Sequence, residues 1–95
     1  MESQIDYYKD LIVPILKEYG VIKASLFGSI VRREMTKDSD IDILVEFQDG
    51  KTLLDLVGLQ NALIEKLERK VDVITFNSIH PLLKERILKE QVKIL

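Results

Sequence analysis

The stretch L-F-G-S-I-V-R-R-E-M-T-K-D-S-D-I-D-I-L-V-E-F, Leu26 to Phe47, decides how the rest of the chain is read. An apolar run breaks at Gly28-Ser29, Arg32 follows about one helical turn later, and Ser39-Asp40-Ile41-Asp42 leads into the apolar Ile43-Leu44-Val45. If Ile41 to Phe47 is a strand, Asp40 and Asp42 lie on one face of it, because side chains alternate with period two. Two carboxylates on one face repel, and a fold keeps such a pair when something offsets the repulsion, most often a divalent cation. Gly28-Ser29 stands where a strand hands over to a helix, and free backbone N–H groups there can hold phosphate oxygens. A place for a metal therefore adjoins a place for phosphates.

Before this stretch, residues 3–19 carry Ile5, Tyr8, Ile12, Ile15 and Tyr19 at spacings of three and four, the pattern of an amphipathic helix. Pro14 removes a donor and crowds the carbonyl of Asp10, which predicts a kink or break near Val13-Pro14. Gly20 ends the helix, and Val21 to Phe27 is a first strand. Ser29 to Glu34 is a short helix or turn, and Asp40 to Phe47 a second strand apolar enough to be buried on more than one face. After it, Thr52 to about Arg69 is the longest helix, opened by Thr52 with Asp55 three residues on. Gly58 costs that helix about 1 kcal/mol against alanine, which suggests a close helix-to-sheet contact. Val71 to Phe76 is a third strand, Pro81 to about Lys89 a last helix, and Gln91 to Leu95 a final short strand. The fold class is α/β of the α+β kind: a small mixed three- to four-stranded sheet with helices packed on it, in one domain covering residues 1–95.

Aliphatic residues are plentiful and 32% of residues are charged, a balance that places the chain among globular domains and not disordered ones. With no cysteine, disulfides, thiolate zinc sites and thiol chemistry are excluded. The net charge of -2 and a pI near 5.4 argue against an extended nucleic-acid surface. The start of the chain, Met1 to Asp6, is acidic and polar, unlike a signal peptide, and no apolar run reaches membrane-spanning length. A cytoplasmic protein is the expectation.

Three aspartates carry the chemistry. Asp40 by itself fits an ordinary turn, but Asp42 interrupts an apolar run, where an unpaired carboxylate costs several kcal/mol or shifts its pKa. Asp72 likewise interrupts Val71-Asp72-Val73 and can face Asp42 if the third strand lies beside the second; otherwise it is an edge residue or pairs with Arg69 or Lys70. Oxygen-only ligation by Asp40, Asp42 and Asp72 favours magnesium or manganese. Gly28 lets a substrate approach the backbone, Ser29 offers a hydroxyl and an N–H, and Arg32 can turn onto the same phosphates. Ser39 reads as a cap for the approach to Asp40, His80 before Pro81 as a cap for the last helix, and Tyr8 and Tyr19 as core. Together these residues describe phosphoryl transfer from a nucleoside triphosphate to a hydroxyl, with Asp72 able to help take the proton.

The combination of Gly28-Ser29, Arg32, Ser39-Asp40-Ile41-Asp42 and Asp72 resembles the minimal nucleotidyltransferases, the MNT branch of the DNA polymerase beta-like superfamily, over nearly the whole chain. One position departs from the pattern: Arg33 stands where the family usually has a glycine. The resemblance implies a polymerase beta-like core, with Asp40, Asp42 and Asp72 as catalytic metal ligands. It also implies that Gly28, Ser29, Arg32 and Ser39 bind the nucleotide. It further implies an antitoxin of a HEPN/MNT toxin–antitoxin pair. Such a protein transfers AMP from ATP to a tyrosine hydroxyl of a partner HEPN ribonuclease toxin, in a hetero-oligomer. Two alternatives stand beside this: a small-molecule acceptor, and an antitoxin that inhibits its partner by binding alone.

Overall fold

Strand β2, Ile41–Phe47, is the centre around which the other elements assemble. The computed structural model describes residues 3–95, so Met1 and Glu2 of the acidic start lie outside the described residues. On one side of β2 runs β1, Val21–Phe27, antiparallel to it; on the other runs β3, Val71–Thr75, parallel to it. A two-residue strand β4, Val92–Lys93, adds to the outer edge of β1, giving a four-stranded sheet in the order β3-β2-β1-β4. The mixed sheet expected from the strand count is the one observed.

Helices α1, Gln4–Glu18, and α2, Leu53–Leu67, cover one face. Ile12 and Leu16 from α1 and Leu59, Leu63 and Leu67 from α2 meet Ala24, Leu26, Ile41, Ile43, Val45, Val71 and Val73 from the strands, all buried in one cluster. Period two along the strands and three-to-four along the helices bring these residues to a single layer. Leu44, on the opposite face of β2, is also fully buried, so the run Ile43-Leu44-Val45 is enclosed from both sides. A 3-10 turn at Phe76–Ser78 packs on β2, and α3, Pro81–Glu90, which has no fully buried residue of its own, shares a groove with Asp42 on that second face.

The helix ends follow local chemistry. Ser3 accepts from the Asp6 amide at 3.1 Å at the start of α1. Thr52 and Asp55 form a reciprocal capping box at α2, with Asp55 accepting from the Thr52 amide at 2.7 Å. That bond holds the Asp55 carboxyl below its usual pKa. His80 caps α3 through Nδ1, which accepts from the Leu82 amide at 3.1 Å, the structural role expected for it.

Two expectations change. Pro14 does not break α1, which runs unbroken from Gln4 to Glu18. Pro14 and Asp10 are both exposed, so the carbonyl that loses its helical donor faces solvent. Gly58 answers to a helix-to-helix contact and not to the sheet: a Cβ there would lie 3.3 Å from the Tyr19 ring at the end of α1. Finally, β3 forms an outer edge of the sheet, and the Gln60 side chain accepts from its Val73 amide at 3.2 Å.

Candidate active site

The parallel register sets Asp42 directly beside Asp72, and Asp40 precedes β2 by one residue. Asp42 and Asp72 occupy equivalent positions on adjacent strands, so both project from the face opposite α1 and α2. Asp42 is half-buried, whereas Asp40 and Asp72 are exposed. Burial pushes the Asp42 carboxyl up to about 6, with the neighbouring charges of Asp72 and Asp40 adding to the rise and Arg32 opposing it. Among the described residues, no three of His, Cys, Asp and Glu stand close enough to form a ready-made metal cage. Asp42 and Asp72 share a face, but the three aspartates expected as common metal ligands are not closed into one cluster, as their mutual repulsion favours.

The turn expected at Gly28-Ser29 is a 3-10 turn over Gly28–Ile30, with the Val31 and Arg32 amides bonded to the Gly28 carbonyl at 3.0 and 3.2 Å. Gly28 has φ +81°, and a Cβ there would land on the Asp42 carboxylate. Both facts require glycine, and the second ties the turn sterically to the aspartate. Three residues past the end of that turn, Arg33 adopts φ +60°, the left-handed region that favours glycine. The backbone there takes the shape a glycine would supply, which accounts for the glycine usual at this position in the resembling family.

Arg32 reaches two carboxylates. Its Nε donates to Glu34 Oε2 at 3.2 Å and its Nη1 to Glu90 Oε1 at 2.7 Å. The hydrogen bond it donates to Glu34 does most to hold its pKa above the ordinary arginine value, with the charges of both glutamates behind it. Ser39 turns inward on its own loop: its hydroxyl accepts from the Thr36 amide at 2.9 Å and pairs with the Thr36 hydroxyl at 3.2 Å. The sequence-based reading of Ser39 as a cap describes this contact.

Two side chains were absent from the reading of the site. Arg69 donates from Nη1 to the Ser39 carbonyl at 2.8 Å and the Thr36 carbonyl at 3.2 Å, with its guanidinium 5.7 Å from the Tyr8 ring centre. It pins the loop that delivers Asp40 instead of pairing with Asp72. Glu90, the last residue of α3, accepts from the Gly28 amide at 3.2 Å as well as from Arg32. Neither has a local sequence signal, because each acts across more than a quarter of the chain on a loop it does not adjoin.

Two grooves flank the aspartates. Asp42 lines the smaller, about 230 Å³, with Phe27, Gly28, Arg32, Leu83 and Glu90. Asp40 and Asp72 line the larger, about 470 Å³, beside the β3 edge with Gln60, Ile64 and Arg69. The smaller groove is the one that holds the Gly28 turn and Arg32 together with Asp42.

The chain is similar to known proteins in sequence and in fold. Residues 10–95 match the family described as polymerase beta, nucleotidyltransferase. A candidate protein adenylyltransferase of Methanocaldococcus jannaschii is 58% identical over 91 residues, covering 96% of this chain and 98% of that protein. A candidate minimal nucleotidyltransferase of known structure superposes with a TM-score of 0.80 at 33% identity, over 93% of this chain and 90% of the other. A chain from the complex of a tri-AMPylated HEPN toxin of Shewanella oneidensis with its MNT antitoxin shares the fold, with a TM-score of 0.72 at 21% identity over 94% and 70% of the two chains.

Proposed function

The chain belongs to the polymerase beta nucleotidyltransferase family, and from that premise we propose that it is an MNT antitoxin that transfers AMP from ATP to a tyrosine hydroxyl of a partner HEPN toxin. The observation that carries the reading is the placement of Asp42 in register with Asp72 and against the Gly28 turn. A pair of carboxylates adjoins there the turn read as the phosphate site.

The donor set suits hard divalent cations, since Asp40, Asp42 and Asp72 offer only carboxylate oxygens; burial first, and then the charges of Asp72 and Asp40, raise the pKa of Asp42, and a cation would offset the second of these. Magnesium or manganese, when bound, neutralises the triphosphate and lowers the pKa of the attacking hydroxyl. Ser29 and Arg32 orient the β- and γ-phosphates so that the α-phosphorus faces the acceptor. The tyrosine oxygen forms a bond to the α-phosphorus, the bond from that phosphorus to the oxygen bridging to the β-phosphate breaks, and pyrophosphate leaves. Asp72, the more exposed of the paired carboxylates, takes the hydroxyl proton. Ser39 acts through its loop, shaping the approach to Asp40.

The working unit is the single domain of residues 1–95 acting in a hetero-oligomer with its toxin. No described helix is long and apolar enough to cross a membrane, and the proposed setting is the cytoplasm. The test is direct. The protein, its HEPN partner, magnesium and ATP labelled at the α-phosphate are incubated together, and label is followed onto the partner. Transfer is expected with the wild type and is expected to fall by about 10³-fold with Asp42→Asn, the scale of losing a group that stabilises transition-state charge. Transfer that persists in Asp42→Asn sinks the mechanism. Neutralisation of the toxin without any transfer identifies inhibition by binding alone, and label appearing on a small molecule identifies a different acceptor.

A further inference from the structure

Glu90 has no place in the mechanism above, yet one of its oxygens bridges the two groups that mechanism relies on for phosphate. Oε1 accepts from the Gly28 amide at 3.2 Å and from Arg32 Nη1 at 2.7 Å. We infer that Glu90 is a positioning residue for triphosphate binding: its carboxylate fixes the Gly28 turn and the plane of the Arg32 guanidinium in the arrangement that receives the phosphates. The inference rests on the reading of that turn as the phosphate site.

The donor inventory of arginine supports the assignment. Arginine carries five N–H donors in a rigid plane. Glu34 engages Nε and Glu90 engages Nη1. Two carboxylates on different edges of the guanidinium define its plane, and among the described residues none takes the Nη2 pair, which is left for an anion. A long, flexible side chain that would otherwise sample many rotamers is delivered in one of them.

The same carboxylate is held too firmly to serve as a removable plug. Glu90 closes α3, and the next amide, Gln91, still bonds back to Ile87 at 3.0 Å. Val92 then pairs with Leu26, two residues before Gly28. The Glu90 side chain is only 19% exposed. Its departure would leave the part-buried Gly28 amide without its partner, which costs more than the bond itself contributes. The end of the chain is in this way fastened to the phosphate turn from two sides, by β4 pairing and by the Glu90 carboxylate.

The experiment measures binding to the full chain of α,β-methylene-ATP, which cannot transfer AMP, and of AMP, each with magnesium, by calorimetry. Glu90→Ala is expected to weaken the analogue about tenfold, the scale of a charge-assisted hydrogen bond. It should leave AMP binding unchanged, because AMP lacks the β- and γ-phosphates. Glu90→Gln keeps an oxygen acceptor at the same reach and is expected to stay within about threefold of wild type. Glu90→Asp keeps the charge but falls short by one methylene, and should weaken the analogue. On an Arg32→Ala background, Glu90→Ala should cost less than it does alone, since the two act as a unit. Should Glu90→Ala fail to fold, the Gln and Asp variants carry the same comparison.

Unchanged affinity in Glu90→Ala or Glu90→Asp overturns the inference. Tighter binding overturns it as well and makes Glu90 a competitor of the triphosphate. Equal losses for AMP and the analogue reduce it to a general structural role. A wild type that binds no analogue defeats the phosphate-site reading and this inference with it, whereas wild-type binding with indifferent Glu90 variants defeats this inference alone.

Discussion

One face of β2 sets Ile41, Ile43 and Val45 against α1 and α2, all fully buried, while the other sets Asp42 beside Asp72 and under the Gly28 turn. The residues alternate along a single seven-residue strand, so neighbours in sequence serve opposite ends. A fully buried isoleucine contributes roughly 1.5–3 kcal/mol to folding. Asp42 works against folding, because a carboxylate near two others and half out of water is harder to ionise there than in the open chain. The closed face supplies the stability that the charged face gives up, and the backbone they share makes the two inseparable.

The largest expected effect breaks the closed face. Ile43→Ala removes a side chain with no solvent exposure from the centre of the cluster and is expected to lower stability by about 2–5 kcal/mol. Urea unfolding followed by circular dichroism reads the change. AMP transfer per folded molecule should stay near wild type, and a loss well beyond the unfolded fraction would mean that the two faces are not separate in function.

A smaller effect, of opposite sign, sharpens the charged face. The Asp42 carboxyl titrates at about 6 in the fold and near 3.8 in the unfolded chain, so the folded state holds the proton more tightly. Its contribution to stability is fully present below about pH 3.8 and is lost as pH rises through about 6. Asp42→Asn should therefore be more stable than wild type at pH 7, by on the order of 1 kcal/mol once solvent screening of a half-buried group is discounted. The difference should vanish by pH 3.8. Thermal melts across this range test the sign, and magnesium should raise the Tm of the wild type more than that of the variant. A variant less stable than wild type at pH 7 would show that Asp42 is a stabilising residue after all.

The smallest effect concerns the turn beside that face. Arg33→Gly relieves a left-handed backbone at φ +60° but frees the unfolded chain, and the balance should favour the variant by about 0.5 kcal/mol. A matched pair of denaturation curves resolves it. Destabilisation would mean that the Arg33 side chain makes a contribution larger than its backbone strain.

Period and punctuation made most of this legible in sequence. Asp42 and Asp72 stand out because each interrupts an apolar run, Asp40 because period two puts it on the face of Asp42, and Gly28 because a glycine closes a strand. What escaped notice depends on distance or on shape. Glu90 sits 58 residues from Arg32, and no periodicity links a helix end to a remote turn. Arg69 reads as an ordinary cation at a helix end until its contacts with the Ser39 and Thr36 carbonyls are seen. The left-handed backbone at Arg33 has no signal in this chain's own residues, since glycine is absent there, and only the resemblance marks the position. Pro14 misled in the other direction: its usual effect on a helix is muted where the orphaned carbonyl meets water.

The edges of the sheet bear on how this protein meets other molecules. On the β3 side, the Gln60 side chain occupies the Val73 amide. On the far side, β4 is only two residues long. A sheet blunted at both margins offers a poor template for strand addition, the route by which exposed edges recruit further chains or seed fibrils. Recognition of another protein must then pass through side chains and not through strand pairing. The same blunted margins keep copies of the chain from joining sheet to sheet at high concentration.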